Sequence, residues 1–277
     1  MTSPGEIEIR PAQSFAEIDA CIALQQEVWR YPELDVVPRR MFVVGQAIGG
    51  HLFCAWSGEQ LAGYAFAIPG VRNGAPYLHS HMVAVAEPFQ NRGLGYRLKL
   101  AQRQDAIARG IACIEWTFDP TQLRNAHFNL NKLGAIARRY SPDFYGPSAS
   151  ALHRGLPTDR LHAEWWVRSE RVCGILEHQS ETAPVIQETV EVTNFAATSA
   201  DTEGDKLRLP ENPGLESLLQ LRRQLMDAFS RGLCAVQFRA DQAHPAYLLA
   251  DVTSMTGIGF SRGAERRIAG GMGNYED

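Results

Sequence analysis

The sequence predicts an α/β fold with a mixed, mostly antiparallel central sheet flanked by helices, followed by a C-terminal α+β extension. Two apolar strands over residues 51–70, separated by a polar turn at 57–60, predict antiparallel pairing in the first half. Over residues 77–134 strands alternate with helices, which is typical of βα units. Past residue 170 the chain becomes rich in Ser, Thr, Glu and Ala before a last amphipathic helix. These three features predict a mixed sheet with an added C-terminal part.

The N-terminal elements are predicted from alternation and from helix capping. Residues 6–10 alternate between polar and apolar types, which indicates a short strand. Ser14, with Glu17 three positions later, predicts a capped helix over residues 14–30. Pro38 suits the first turn of a second, shorter helix. The first strand and these two helices therefore precede the hairpin.

After the hairpin the pattern changes to alternating strands and helices. Strands are expected at residues 77–85 and 111–118, and helices at 94–109 and 121–132. A glycine follows each helix closely, as is common at helix ends. This half of the chain therefore supplies the βα units of the sheet.

The C-terminal part is predicted to begin with a strand and a loose linker within residues 179–206, followed by one helix and one hairpin. Residues 214–231 place leucines at helical spacing, and residues 233–238 and 246–252 form two apolar strands. The Gly-rich end lacks periodicity, so it is expected to be disordered. The predicted division is a first domain, an extension and a tail, at residues 5–170, 171–252 and 253–277.

Composition limits the classes of function. The chain has 277 residues, 45% of them hydrophobic, and a net charge of −4, so no basic field points to nucleic acid or an anionic membrane. No stretch approaches the roughly 18 apolar residues of a membrane span, and the first residues lack the apolar core of a signal peptide. Five widely spaced cysteines without a CxxC pair favour reduced thiols in a cytoplasmic protein and no metal site.

Two glycines, Gly93 and Gly95, stand between a predicted strand and a predicted helix. A helix N-terminus attracts anions, and glycine lets the backbone approach a phosphate closely. NAD is one candidate ligand, since Glu115 lies 20 residues after Gly95, where a ribose-binding acid would be expected. Against it, Leu98 occupies the third glycine position and seven residues separate the strand from the loop.

A second candidate ligand is coenzyme A. The segment VAVAEPFQNRGLGYRL resembles the acyl-CoA-binding motif of the GNAT N-acyltransferase superfamily, in which a strand and a short turn precede Gln/Arg-x-x-Gly-x-Gly/Ala and a helix. Asn125 and Gly134 keep the spacing of the second hallmark of that family. The resemblance covers about residues 5–170. Within the superfamily the sequence looks like a larger subgroup with a C-terminal extension.

The resemblance implies a GNAT-like fold and a set of residues that contact acetyl-CoA or another short acyl-CoA. The strand residues Val83, Ala84 and Val85 would pair with the pantetheine arm, and one of their N–H groups would face the thioester oxygen. Asn125 would hold the cofactor arm or the start of its helix. The loop that would meet the pyrophosphate consists of Gln90, Asn91, Arg92, Gly93, Leu94, Gly95 and Tyr96.

Candidate general bases precede the pantetheine segment. His79 and His81 share one face of a strand, and an imidazole with a pKa near 6.5 suits proton acceptance near neutrality. By resemblance, His79 stands where some family members carry a catalytic glutamate. Glu115 and Asp119, on and after the neighbouring predicted strand, could act through a water or bind the amine.

The general acid departs from the family pattern. Many members carry a tyrosine five residues after the asparagine, but Leu130 occupies that position. Tyr140 and Tyr145 follow and could substitute. Alternatively no acid is needed, because a thiol resembling that of cysteine is a tolerable leaving group.

The acceptor is predicted to be the amine of a small molecule. Arg39, Arg40 and Arg72 could bind a substrate carboxylate, which would fit an amino acid. Protein acceptors are less favoured because no acidic groove is visible, and the extension could serve a homodimer. Two alternatives stay open: a non-catalytic acyl-CoA-binding protein of the same fold, and an NAD-binding oxidoreductase.

Overall fold

The computed structural model describes residues 6–30, 32–146, 155–177, 189–191, 207–208, 214–239 and 245–251. Within these ranges the strands are β1 Ile7–Pro11, β2 His51–Ser57, β3 Gln60–Arg72, β4 Ala75–Val85, β5 Cys113–Phe118, β6 Ile136–Ser141, β7 Arg160–Trp166, β8 Thr189–Glu191, β9 Leu207–Arg208, β10 Leu233–Arg239 and β11 Ala246–Asp251. They form one sheet in the order β1-β2-β3-β4-β5-β7-β6-β10-β11-β8, with β9 also on β11. Only the β4–β5 pairing is parallel among the described strands. The predicted mixed, mostly antiparallel sheet is confirmed.

The described helices flank this sheet. They are α1 Phe15–Trp29, α2 Arg39–Ala47, α3 Leu94–Ala108, α4 Leu123–His127, α5 Glu170–Glu177 and α6 Leu215–Ser230. The helix predicted at 121–132 is shorter: α4 ends at His127 and continues as a π-helical turn, Phe128–Lys132. In the described part of the chain, no helix has the length and apolar character needed to cross a membrane.

The cap of α1 forms as the sequence predicts. Ser14 Oγ accepts the N–H of Glu17 at 3.3 Å. The Glu17 carboxylate in turn accepts the N–H of Gln13 and pairs with Arg10, both at 2.6 Å. These bonds satisfy donors that the helix itself leaves unpaired, and they fasten α1 to the end of β1.

Alternation along β3 and β4 separates two packed layers. Phe66 points to the face covered by α1 and α2, where it packs with Phe42 and Met82. Its neighbour Ala65 points to the other face and packs against Leu94 and other residues of α3. The largest core cluster joins residues of α3, α4, α5 and α6. The face that bears α1 and α2 also carries the candidate base on β4.

The C-terminal extension adds strands to the same sheet. Ala235 of β10 pairs with Ala137 of β6, and β10 pairs with β11 as the predicted hairpin. Leu221 and Leu225 of α6 are fully buried in the main core. Strands β6 and β7 and helix α5 were not predicted. The predicted disordered tail at 253–277 lies outside the described residues.

Candidate active site

The sheet opens between β4 and β5. These parallel strands pair only at Leu78 with Ile114 and at His79 with Glu115. Strand β4 continues to Val85 and β5 to Phe118 without further pairing between them. Backbone groups of β4 that face this opening are therefore left for another partner.

A β-bulge lies at the start of the opening. Phe66 pairs with Met82 and Ala67 with Ser80, so His81 is an extra residue in β4. Bulges redirect a side chain and interrupt pairing, and they are common next to active sites. The rings of His79 and His81 lie 6.1 Å apart between centroids. The bulge thus places both candidate bases at the opening.

The glycine loop joins the open end of β4 to α3. Asn91 and Gly93 have positive φ angles of 58° and 75°, and α3 begins at Leu94. The N–H of Arg97 makes the first bond back along the helix, to Gly93 O at 3.1 Å. The N–H groups of Leu94 and Gly95 therefore have no acceptor within the helix, and they form its positively polarised end.

The two glycines of this loop differ in what the fold requires of them. Gly93 needs its left-handed conformation, although an added Cβ would meet no atom of the described residues within 4 Å. At Gly95 an added Cβ would approach only a Val85 methyl, at 3.9 Å. Packing among the described residues therefore gives no reason for glycine at 95. Gln90 braces the loop by donating to Val85 O at 3.0 Å, and Arg92 is exposed.

His79 is a neutral imidazole at pH 7. Burial, with help from nearby charges including His81 and Lys99, lowers its pKa to about 4. The side chain is therefore free to accept a proton, but it is a weaker base than the ordinary pKa near 6.5 implies. His81 is more exposed, and partial desolvation lowers its pKa as well.

Glu115 lies beside His79 in a network of ion pairs. It pairs with Arg72 and, at 2.8 Å, with Arg139. Across β5 and β7 it faces Glu164, whose carboxylate pairs with Arg138 at 3.1 Å and Arg139 at 3.2 Å. Both carboxylates are buried. Glu115 therefore already accepts from two guanidinium groups, which leaves it poorly suited to serve as a free base.

Tyr140 contacts Asp159 and not the candidate catalytic residues on β4 and β5. Its hydroxyl donates to Asp159 at 2.6 Å, and Asp159 pairs with Arg222 of α6 at 2.7 Å. Burial and the Asp159 carboxylate raise the pKa of Tyr140. These contacts favour a structural role that ties β6 to α6. Tyr145 is 52% exposed, with its hydroxyl 3.1 Å from Thr117 Oγ1.

Replacing Tyr140 with phenylalanine is expected to lower stability by about 1–2 kcal/mol and to leave acyl transfer unchanged. The buried Asp159 carboxylate would lose one of its donors, which is the source of the cost. Urea unfolding and steady-state turnover check the two halves of this prediction. A large loss of turnover with unchanged stability would instead assign Tyr140 to the chemistry.

The remaining predicted residues are spread over several places. Asn125 is exposed on α4, and Leu130 is fully buried in the core. Asp119 accepts from the N–H and hydroxyl of Thr121. Arg39 forms an exposed ion pair with Asp19 of α1. Of the three predicted arginines, Arg72 lies near His79, because it pairs with Glu115 on the neighbouring strand. The sequence did not predict that Arg139 and Glu164 would join this network. Within the described ranges no cluster of His, Cys, Asp and Glu could hold a metal ion.

A buried lysine lies behind the two histidines. Lys99 of α3 donates to Ser80 Oγ at 2.8 Å, and its Nζ lies 3.6 Å from the ring centroid of Trp116. Ser80 stands between His79 and His81 and donates to Gln102 at 2.8 Å. Burial lowers the pKa of Lys99 well below its ordinary value. These contacts join α3 to the face of β4 that bears Ser80, at the bulge.

Replacing Lys99 with methionine is expected to stabilise the protein more at neutral pH than at about pH 10. Between the lowered folded pKa and the ordinary value of 10.5, the unfolded chain binds more protons, so wild-type stability rises with pH. Methionine removes this dependence while filling similar space. Urea unfolding of both proteins across this pH range measures the difference. A difference that is constant with pH would contradict the lowered pKa.

The split sheet, and the glycine turn that leads from its open strand into a helix, lie within the part of the chain that matches a known family. Residues 18–135 match the family model described as Acetyltransferase (GNAT) family. These residues therefore form a GNAT acetyltransferase domain, as the sequence motifs indicated. The match spans the hairpin, the opening, the glycine loop and α4.

Several solved structures are similar to part of this chain. A GNAT-family protein from Desulfovibrio desulfuricans is 18% identical, with 58% of this chain and 99% of that chain covered and a TM-score of 0.48. A GNAT family acetyltransferase from Elizabethkingia anophelis with acetyl-CoA bound is 16% identical, with coverage of 58% and 99% and a TM-score of 0.46. The ribosomal-protein-S18-alanine N-acetyltransferase from Escherichia coli is 18% identical, with coverage of 58% and 94% and a TM-score of 0.46. A search of the curated proteins finds no match.

Proposed function

We propose that the protein transfers an acetyl or other short acyl group from acyl-CoA to the amine of a small molecule. The observation that carries this proposal is that strand β4 leads directly into the glycine loop before α3. Strand β4 bears His79, loses its partner β5 beyond that residue, and leads into the glycine turn at the start of α3. The proposed base, the strand segment that would bind the thioester and the loop that would bind the phosphates thus follow one another along the chain.

The acyl-CoA would lie along the opening. Its pantetheine arm would pair with the backbone of Val83, Ala84 and Val85, whose edge on the β5 side has no partner among the described strands. Its pyrophosphate would meet the N–H groups of the loop, where the helix end favours negative charge. Arg92, exposed beside this loop, can add a charged contact, and Asn125 can contact the cofactor arm.

The reaction needs a neutral amine, an oxyanion donor and a proton acceptor. The amine nitrogen attacks the thioester carbon, and a β4 N–H stabilises the oxyanion that forms. His79, neutral at pH 7, accepts the proton that the nitrogen loses once it has attacked. The C–S bond then breaks to give the amide and the CoA thiolate, which can leave without a tyrosine because its conjugate thiol is fairly acidic.

A non-catalytic acyl-CoA-binding protein is the second candidate. Two observations favour it: Leu130 replaces the usual acid and is buried, and Glu115 is held by two arginines. The NAD alternative loses support, because dinucleotide-binding folds use a mostly parallel sheet and this sheet is mostly antiparallel. The engaged carboxylate of Glu115 also removes its predicted ribose contact.

Calorimetric titration with coenzyme A, acetyl-CoA, succinyl-CoA and NAD tests the ligand class. We expect one molecule of a CoA species per chain and no binding of NAD. A preference among the thioesters would name the acyl donor. Binding of NAD alone, or of none of the four, would overturn the proposed cofactor.

A further inference from the structure

We propose that the acceptor is a short amine that carries a carboxylate, such as an amino acid, and that Arg72 binds this carboxylate beside His79. The inference rests on the proposed acyl transfer and adds the class of acceptor. It depends on the ion-pair network formed by Arg72, Arg138 and Arg139 with Glu115 and Glu164.

The network presents positive charge to solvent. The side chains of Glu115 and Glu164 are only 7% and 2% exposed, whereas Arg72 and Arg139 are 29% and 34% exposed. Arg72 and Arg139 are therefore the solvent-facing partners of the two buried carboxylates. The neighbouring His162 is neutral at pH 7, since burial lowers its pKa to about 3. An anionic group therefore complements the open side of the network.

Arg72 is the arginine of the network best placed to receive a carboxylate. Arg139 contacts Glu115, Glu164 and His162 through its Nη2, Nε and Nη1 atoms. Arg72 contacts Glu115 through Nη1, and its guanidinium lies 4.7 Å from the ring centroid of Tyr77. In the described part of the chain its Nε and Nη2 have no acceptor. A guanidinium held by stacking, with two adjacent nitrogens available, suits bidentate binding of a carboxylate.

The position of His79 limits the size of the acceptor. His79 and Glu115 are paired across adjacent strands, which lie about 5 Å apart, and Glu115 contacts Arg72 directly. Arg72 and Arg139 are also close enough to contribute to the lowered pKa of His79. An amine nitrogen at His79 and a carboxylate at Arg72 are therefore separated by only a few bonds. This spacing fits an amino acid better than a long polyamine or a peptide side chain.

Matched acceptor pairs test this inference. Each pair is an amino acid and its carboxamide, compared at equal concentrations of neutral amine, with acetyl-CoA as donor and thiol release as the readout. For the wild type we expect kcat/KM to be roughly 10- to 100-fold higher for the acid, mainly through KM. Arg72→Gln should remove this preference by lowering kcat/KM for the acid alone, and Arg72→Lys should give an intermediate value.

Two controls distinguish a loss of carboxylate binding from misfolding and from a general effect of removing an arginine. Arg231→Gln removes a surface arginine that pairs with Asp227 on α6, and it should leave the preference intact. Titration of Arg72→Gln with acetyl-CoA should match the wild type and thereby show that the variant is folded. Equal use of acid and carboxamide by the wild type would overturn the inference while leaving acyl transfer in place. An absence of transfer to every amine tested would overturn the proposed function as well.

Discussion

Replacing Gly93 with glutamate is expected to weaken coenzyme A binding by roughly 100-fold or more. The new carboxylate would stand at the helix start where the pyrophosphate is proposed to lie, and two like charges about 4 Å apart repel by several kcal/mol at an intermediate dielectric constant. Gly93 also has a φ angle of 75°, which glutamate adopts at a cost. Calorimetric titration of the variant measures the loss.

Gly110→Glu is the matched control for this variant. Gly110 has a φ angle of 71°, and an added Cβ would meet no atom within 4 Å in the described part of the chain, so the backbone cost is similar. It lies just beyond the other end of α3, which is 15 residues long and therefore spans about 22 Å. This control should bind coenzyme A as the wild type does. Equal binding by both variants would show that the loop does not hold the pyrophosphate.

Replacing His79 with alanine is expected to lower turnover by roughly 100- to 10,000-fold without weakening acyl-CoA binding. This range is typical of the loss of a positioned general base. Because the pKa of His79 is lowered to about 4, the wild type should lose activity only as the pH falls toward that value and the imidazole becomes protonated. Steady-state rates across pH, with the amine in its neutral form held constant, check both statements.

His81→Ala is the informative comparison for His79. The two histidines lie on either side of Ser80, but His81 is more exposed and occupies the bulge. We expect a smaller loss of turnover for His81→Ala and no change in the acid limb of the pH profile. A reversed order of the two losses would assign the proton to His81, and unchanged turnover in the His79 variant would remove that residue from the mechanism.

Elements with regular local patterns were predictable from sequence, and elements with charged inner faces were not. The Ser14 cap, the hairpin and the strand before the glycine loop each follow from short-range chemistry. Strands β6 and β7 instead place Arg139 and Glu164 on the sheet, which breaks the alternation that marks a strand. These residues are stable there because their charges are paired, and this pairing appears only when the strands are assembled.

The same distinction applies to the candidate site. The anion-binding loop is local, so its residues could be named from the motif alone. The role of Glu115 depends on Arg72 and Arg139, which come from strands distant in sequence. Tyr140 is close in sequence to the expected acid position, but its partner Asp159 lies 19 residues further on and is itself held by α6. Partners of this kind cannot be read from spacing.

The most direct test of the account is transfer itself. The wild-type protein would be incubated with acetyl-CoA carrying an isotopic label in its acetyl group and with a set of small amines and amino acids, and the products would be analysed by mass spectrometry. We expect label on the nitrogen of an acceptor, with one CoA thiol released for each labelled molecule. Tight binding of acetyl-CoA without labelled product would contradict it and favour the non-catalytic alternative.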